Sequence, residues 1–169
     1  MDLSSVNGLP LHALLVHVAV VLVPVTALCV LLAAAWPTAR RRLGIVNALL
    51  GAVIIVLIPL TKNAGEWLRD RVAPTPLIES HAELGESVVP WALALGLLGI
   101  ATWLWYFVTE TRASAATADP ARGIRRAVGV VLVVLAIGIG GIATYQTVLA
   151  GESGSRTVWQ NNFRDTLDP

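Results

Sequence analysis

The sequence contains three histidines, His12, His17 and His81, and imidazole is the side chain here best suited to metal ligation and proton transfer. His12 and His17 are five residues apart, so on a helix they point about 140° away from each other. Two ligands from one helix need a spacing of three or four residues to reach the same ion. A shared site would therefore have to recruit His81 from a distant part of the chain.

The three histidines differ in their predicted depth in the membrane. His17 lies roughly 6 to 9 Å beyond the start of the first apolar segment, whereas His12 lies at the start of that segment and His81 lies about seven residues before Val88, at or above the interface. His12 therefore matches His81 in depth better than His17 does. His17 lies nearer the level of three other polar residues: Glu86, Tyr145 and Gln146.

Two interpretations of these residues remain open. In the first, His12, His17 and His81 ligate haem b or a transition metal, as facing helices of bundle cytochromes do. In the second, they form a polar layer in which His17 hydrogen-bonds to Glu86 or Gln146 and serves structure or proton transfer.

Other chemistries find little support. Cys29 is the single cysteine, which excludes a disulfide framework, a cysteine-ligated iron–sulfur cluster and a copper–thiolate site, and no C-x-x-C-H segment for covalent haem occurs. No phosphate loop or nucleophile elbow is present, so we expect no catalytic residues and favour a non-enzymatic protein. A formal net charge of +1 argues against a nucleic-acid partner.

The composition places these residues in a membrane. The 169 residues are 56% hydrophobic and 14% charged, against roughly 25% charged in soluble proteins. Four stretches without Asp, Glu, Lys or Arg are each long enough to cross the roughly 30 Å hydrocarbon layer as a helix. We predict a single membrane domain over residues 1–169, with spans at about 11–36, 43–61, 88–108 and 127–150.

Basic residues predict the orientation. Arg40, Arg41, Arg42 and a second group between spans three and four crowd two short loops, which the positive-inside rule assigns to the cytoplasm. Both termini, the loop 62–87 and the tail 151–169 are then extracytoplasmic. The protein itself is predicted to lie in the cell membrane. Helix formers on either side of Pro74 and Pro76 predict short interfacial helices in the outer loop. The inner connection 111–123 is predicted to be a flexible surface loop.

Small residues spaced four apart predict how the spans associate, because helices in lipid pack through positions that let backbones approach. Ala92 with Gly96, and Ala136 with Gly140, form such stripes, and Gly44, Ala48 and Ala52 form another. An all-α, four-helix membrane bundle follows. The two halves share a hydropathy pattern, but we find no repeat of individual residues.

Three segments resemble a family of small bacterial integral membrane proteins, domain of unknown function 2231. They are LPLHALLVHVAVVLVPV at 9–25, ESHAELGESVVPWAL at 79–93 and AGESGSRTVW at 150–159. The first is similar to the family's H-P-x-L-V-H-F opening, with Ala13 and Val18 at the Pro and Phe positions. Glu152 stands where members often carry a histidine. The resemblance implies four spans, emphasises His12, His17 and His81, and implies a redox neighbourhood, since some relatives are fused to Rieske-type domains.

The leading hypothesis is a haem b- or metal-binding electron-transfer or accessory component of a respiratory membrane complex. The alternatives are a structural or assembly subunit whose histidines satisfy bundle hydrogen bonds, and a proton-coupled carrier of small solutes. The expected partners are the lipid bilayer and either a membrane redox complex or further copies of the chain.

Overall fold

Four long helices make up almost all of the structure. The computed structural model describes residues 5–6, 8–113 and 122–159. The helices are α1 (Leu11–Ala35), α2 (Pro37–Arg69), α3 (Pro76–Ala113) and α4 (Arg122–Trp159). Two short strands, β1 (Ser5–Val6) and β2 (Leu9–Pro10), pair in antiparallel fashion before α1. Gly8, between them, has a φ of 81°, which suits a glycine in a tight turn.

All four helices are long and apolar enough to cross a membrane, as the sequence predicts. Their outward faces carry large apolar side chains such as Val21, Leu28, Leu49 and Val134, each more than half exposed. Such surfaces are stable against lipid and unstable against water. The chain is therefore an all-α membrane bundle.

The prediction of separate interfacial helices was wrong. α2 continues without a break to Arg69, and α3 begins at Pro76, so helix extensions take up most of the loop 62–87. Of the inner connection, α3 occupies the residues up to Ala113, and residues 114–121 lie outside the described part of the chain.

The helices are arranged as a square in chain order. Each packs against its neighbours in sequence, α4 packs back against α1, and α1 meets α3 across the diagonal. One end of the bundle, here called the histidine end, holds the starts of α1 and α3 and the ends of α2 and α4. The opposite end, here called the basic end, carries Arg40, Arg41 and Arg42 at the start of α2.

Glycines bring neighbouring helices into backbone contact. A Cβ at Gly51 of α2 would lie 2.4 Å from the carbonyl oxygen of Gly96 in α3. A Cβ at Gly140 of α4 would lie 2.9 Å from the Cβ of Ala27 in α1. The stripes through Gly96 and Gly140 are thereby confirmed. On α2, the contact runs through the buried Gly51, whereas Ala52 is exposed.

The two helix pairs match each other in register. Residues of α1 correspond to residues of α3 at a constant offset of 69, and residues of α2 correspond to residues of α4 at an offset of 89. Nine pairs of equivalent positions are buried together: Ala19 and Val88, Val23 and Ala92, Thr26 and Leu95, Val30 and Gly99, Ala33 and Thr102, Asn47 and Ala136, Gly51 and Gly140, Ile54 and Ala143, and Ile58 and Thr147.

Contacts obey the same offsets. The α2–α3 contact of Gly51 with Gly96 is equivalent to the α4–α1 contact of Gly140 with Ala27. The structure is therefore a repeat of two hairpins related by an approximate two-fold axis along the bundle, as in transporters with parallel repeats.

We predict that Gly51→Ala destabilises the bundle, because the added methyl group collides with the backbone carbonyl of Gly96, which cannot move aside as a side chain can. Overpacking of this kind costs about 1–3 kcal/mol of unfolding free energy. Gly138→Ala is the matched control, since nothing lies within 4 Å of its added Cβ. Thermal unfolding in detergent, followed by tryptophan fluorescence, measures both; equal stability of the two variants would contradict the contact.

Candidate functional site

His12 lies in the first turn of α1 and contacts α2. Its Nδ1 lies 2.9 Å from the carbonyl oxygen of Thr61. Gly65, one turn further along α2, makes room for the ring: a Cβ there would lie 2.9 Å from Cε1 of His12. Any larger residue at position 65 would displace the imidazole.

His81 lies near the start of α3 and makes an equivalent contact with α4. Its Nδ1 lies 2.9 Å from the hydroxyl oxygen of Ser153, and Ser153 itself donates to the carbonyl oxygen of Ala150. A Cβ at Gly154 would lie 3.0 Å from Cε1 of His81. Thr61 and Gly65 of α2 are thus matched by Ala150 and Gly154 of α4, at the offset that relates the two hairpins.

The two imidazoles meet near the two-fold axis. Their ring centroids are 5.9 Å apart, and the ring planes are inclined at 72° in an edge-to-face contact. The rings belong to helices that face each other across the diagonal, and the flanking helices hold each ring in place. The structure thus brings together His12 and His81, the two histidines that match best in depth, and all four helices contribute to this contact.

The hydrogen bonds fix which ring nitrogen carries the proton. A carbonyl oxygen only accepts, so Nδ1 of His12 must donate to Thr61. The hydroxyl proton of Ser153 is committed to Ala150, so Nδ1 of His81 must donate to Ser153. In a neutral imidazole the remaining nitrogen, Nε2, then carries a lone pair available to a ligand.

His81 favours the neutral form. It precedes the apolar span 88–108, on the part of α3 that also carries Glu79, Glu83 and Glu86. Burial lowers its pKa, and electrostatic repulsion by His12 lowers the pKa further, while the nearby backbone of Ala150 acts in the opposite direction. A neutral imidazole is the form that binds metal ions.

Ion pairs tie the helices together around the histidines. Lys62 of α2 pairs with Glu66 in its own helix and lies 4.0 Å from Glu86 of α3. Arg69 at the end of α2 pairs with Glu79 in α3. These exposed pairs link the second helix to the third beside the site, and each adds little to stability by itself.

The polar layer predicted around His17 is not formed. His17 is exposed on the lipid-facing surface of α1, and its Nδ1 bonds to the carbonyl oxygen of Ala13 in the same helix. Gln146 accepts a hydrogen bond from Ser87. Glu86 faces Lys62, and Tyr145 is 62% exposed. His17 therefore belongs neither to the histidine pair nor to a layer with these three residues.

Sequence signals for the matched half-sites were overlooked. His12-Ala13-Leu14-Leu15 is repeated as His81-Ala82-Glu83-Leu84, so histidine, alanine and leucine recur at the offset of 69. Gly65 and Gly154 recur at the offset of 89, as do Gly51 and Gly140. The repeat becomes visible when α1 is aligned with α3 at an offset of 69 and α2 is aligned with α4 at an offset of 89. A single offset for the whole chain misses it, because the connections within the two hairpins differ in length.

The histidine pair provides two protein ligands for a metal ion. Within residues 8–109 and 122–159, no third His, Cys, Asp or Glu joins the pair in a cluster that could hold an ion. Comparisons with family models, with curated proteins and with solved structures gave no match. The geometry of the histidine pair is therefore the main indication of function.

We predict that, in their neutral forms, His12 and His81 carry the proton on Nδ1, because Nδ1 of His12 faces a carbonyl oxygen and Nδ1 of His81 faces a hydroxyl whose own proton is donated to Ala150. Nitrogen-15 NMR of histidine-labelled protein in detergent, at about pH 8, distinguishes this tautomer from the one protonated on Nε2. The variants His12→Gln and His81→Gln assign the signals. A proton on Nε2 of His12 would rule out the bond to Thr61.

Proposed function

We propose that His12 and His81 bind one transition-metal ion between them through their Nε2 atoms. The observation that carries this proposal is the meeting of two imidazoles from diagonal helices, each held through Nδ1 by a neighbouring helix. Metal-binding histidines are typically oriented in this way, with the second ring nitrogen donating to a carbonyl or another oxygen.

The separation of the rings fits a shared ion. A metal–nitrogen bond of about 2.0–2.1 Å places each ring centroid roughly 3.1 Å from the metal. Two such rings have centroids roughly 5 Å apart at a tetrahedral angle and roughly 6.2 Å apart when they lie opposite each other. The observed 5.9 Å falls between these limits.

Copper is the ion that this donor set favours. Imidazole suits copper, zinc, iron and nickel, and among divalent ions copper binds nitrogen sites most tightly. With two protein ligands, the remaining coordination positions are open to water, to a small molecule or to a donor from a partner. Such a site exchanges its ion or its ligands more readily than a closed structural site.

Haem b fits the surroundings less well than a single ion. A macrocycle between the two rings would have to pass through the space that α2 and α4 occupy at Gly65 and Gly154, whose backbones lie against the imidazoles. Those helices would have to part to admit it.

The biological role that we propose is that of an accessory component of a respiratory membrane complex, supplying or holding a redox metal at the membrane surface. The arginines at the basic end support a cytoplasmic position for that end under the positive-inside rule. The histidine end and both termini would then be extracytoplasmic, where copper and electron carriers have access.

We predict that the purified protein binds one Cu²⁺ per chain, and that His12→Gln and His81→Gln each remove this binding. Ser153→Ala should weaken the affinity roughly 10- to 100-fold, as loss of a partner that orients a ligand does. Metal titration followed by elemental analysis measures the stoichiometry, and electron paramagnetic resonance reports nitrogen ligands on Cu²⁺. Absorbance near 400–430 nm in the same sample tests for haem.

His17→Gln is the matched control, because this histidine lies on the same helix but is turned away from the pair. It should bind copper like the wild type. Equal loss in His17→Gln, or stoichiometric copper in the double variant of His12 and His81, would refute the site. A metal-free and colourless protein with the same tautomers would leave the histidines a purely structural role.

A further inference from the structure

A cavity of about 220 Å³ opens at the basic end, between α2, α3 and the end of α1. Its wall includes two arginines, two buried polar side chains and two stacked aromatic rings: Arg40, Arg41, Asn47, Thr102, Trp103 and Phe107. Asn47 lies two turns deeper in α2 than Arg40, on the order of 10 Å along the helix. The cavity therefore combines a charged mouth with a polar floor.

The polar atoms of the floor find no hydrogen-bond partner in the part of the chain that the structure describes. Asn47 is 0% exposed and Thr102 is 1% exposed. Neither the amide nitrogen and oxygen of Asn47 nor the hydroxyl of Thr102 makes a hydrogen bond within the described residues. Thr26, Thr109 and Thr147 instead donate to the carbonyl one turn earlier in their own helices. Buried polar groups without partners are rare in native proteins, and such groups are commonly satisfied by an ordered water, an ion or a bound ligand.

The repeat shows that the fold does not require these polar residues. The position equivalent to Asn47 in the second hairpin is Ala136, and the position equivalent to Thr102 in the first is Ala33. Both alanines are buried in the same register. The site equivalent to Arg40 is Gly129. Small apolar residues are thus sufficient for packing at these positions. The polar residues Arg40, Asn47 and Thr102 occur on only one side of the bundle.

Arg40 is held at the mouth by the protein itself. Its Nε donates to the carbonyl oxygen of Ala33 at 3.0 Å, and Nη2 donates to that of Ala34 at 3.1 Å. Its guanidinium carbon lies 3.4 Å from the centroid of the Tyr106 ring. The positive charge is therefore fixed beside the cavity, and the exposed Arg41 adds a second positive charge. Two guanidinium groups favour an oxyanion.

We propose that this cavity binds a phosphate ester that carries neighbouring hydroxyl groups, with the phosphate at Arg40 and Arg41 and a hydroxyl at Asn47 and Thr102. Asn47 both donates and accepts, and Thr102 does the same, so an alcohol satisfies them. The glycerol phosphate unit has this chemistry. It occurs in the headgroup of phosphatidylglycerol and in free glycerol 3-phosphate. The proposal is independent of the histidine pair, which lies at the opposite end.

The test compares the wild type with the double variant Asn47→Ala and Thr102→Ala, in nanodiscs of phosphatidylcholine or of phosphatidylglycerol. Glycerol 3-phosphate is titrated into the phosphatidylcholine discs. Without ligand, the variant should unfold at the same temperature as the wild type or higher, because it loses unpaired buried groups and gains residues that the repeat already accommodates. With ligand, the wild type should gain thermal stability and the variant should not.

The two ligand conditions identify the source of the ligand. Stabilisation by phosphatidylglycerol alone indicates a lipid headgroup, and stabilisation by glycerol 3-phosphate indicates a soluble ester. Arg41→Gln, on the surface, should weaken the response about tenfold or more without affecting the fold. Thr147→Ala, a buried threonine that bonds within its own helix, should respond like the wild type. No response in the wild type, or an equal response in the double variant, overturns the proposal.

Discussion

The distance at which helix backbones can approach one another governs this structure. In lipid, burial of apolar surface gives little driving force for helix association, so close packing has to supply it. Gly51 and Gly96 supply it between α2 and α3, and Gly140 and Ala27 supply it between α4 and α1. Because neighbouring helices approach this closely, the diagonal helices α1 and α3 also come into contact. That contact brings the imidazoles of His12 and His81 to 5.9 Å.

The approximate two-fold symmetry separates what the fold needs from what a site needs. At the histidine end the two half-sites match, with a histidine, a carbonyl oxygen on the neighbouring helix and a glycine one turn away in each. A symmetric site near an axis suits a ligand that lies on the axis, such as a single ion. At the basic end the symmetry is broken, since the positions equivalent to Asn47 and Thr102 in the other hairpin are alanines. An asymmetric, elongated cavity suits an asymmetric ligand.

Hydropathy predicted the four spans, and depth matched His81 to His12 better than to His17, because both depend only on position along a helix. The rotation of each helix about its own axis could not be predicted. α1 is apolar on every side, so nothing in its sequence shows that His17 faces lipid while Thr26 faces the core. The same limitation explains why Gly51, and not Ala52, forms the contact on α2. The cavity depends on two single polar residues in different helices, which become neighbours only after the helices pack.

An apolar core separates the two ends of the bundle. Between the histidines and the basic end lie fully buried side chains such as Val23, Ile54, Leu95 and Ala143. The buried hydroxyls at this level, Thr26 and Thr147, bond to carbonyls in their own helices and so offer no relay to a neighbour. A proton-coupled carrier needs polar groups or water in series across the membrane, and this layer disfavours such a path within one chain. A ligand at either of the two proposed sites would therefore reach it from the membrane surface on that side.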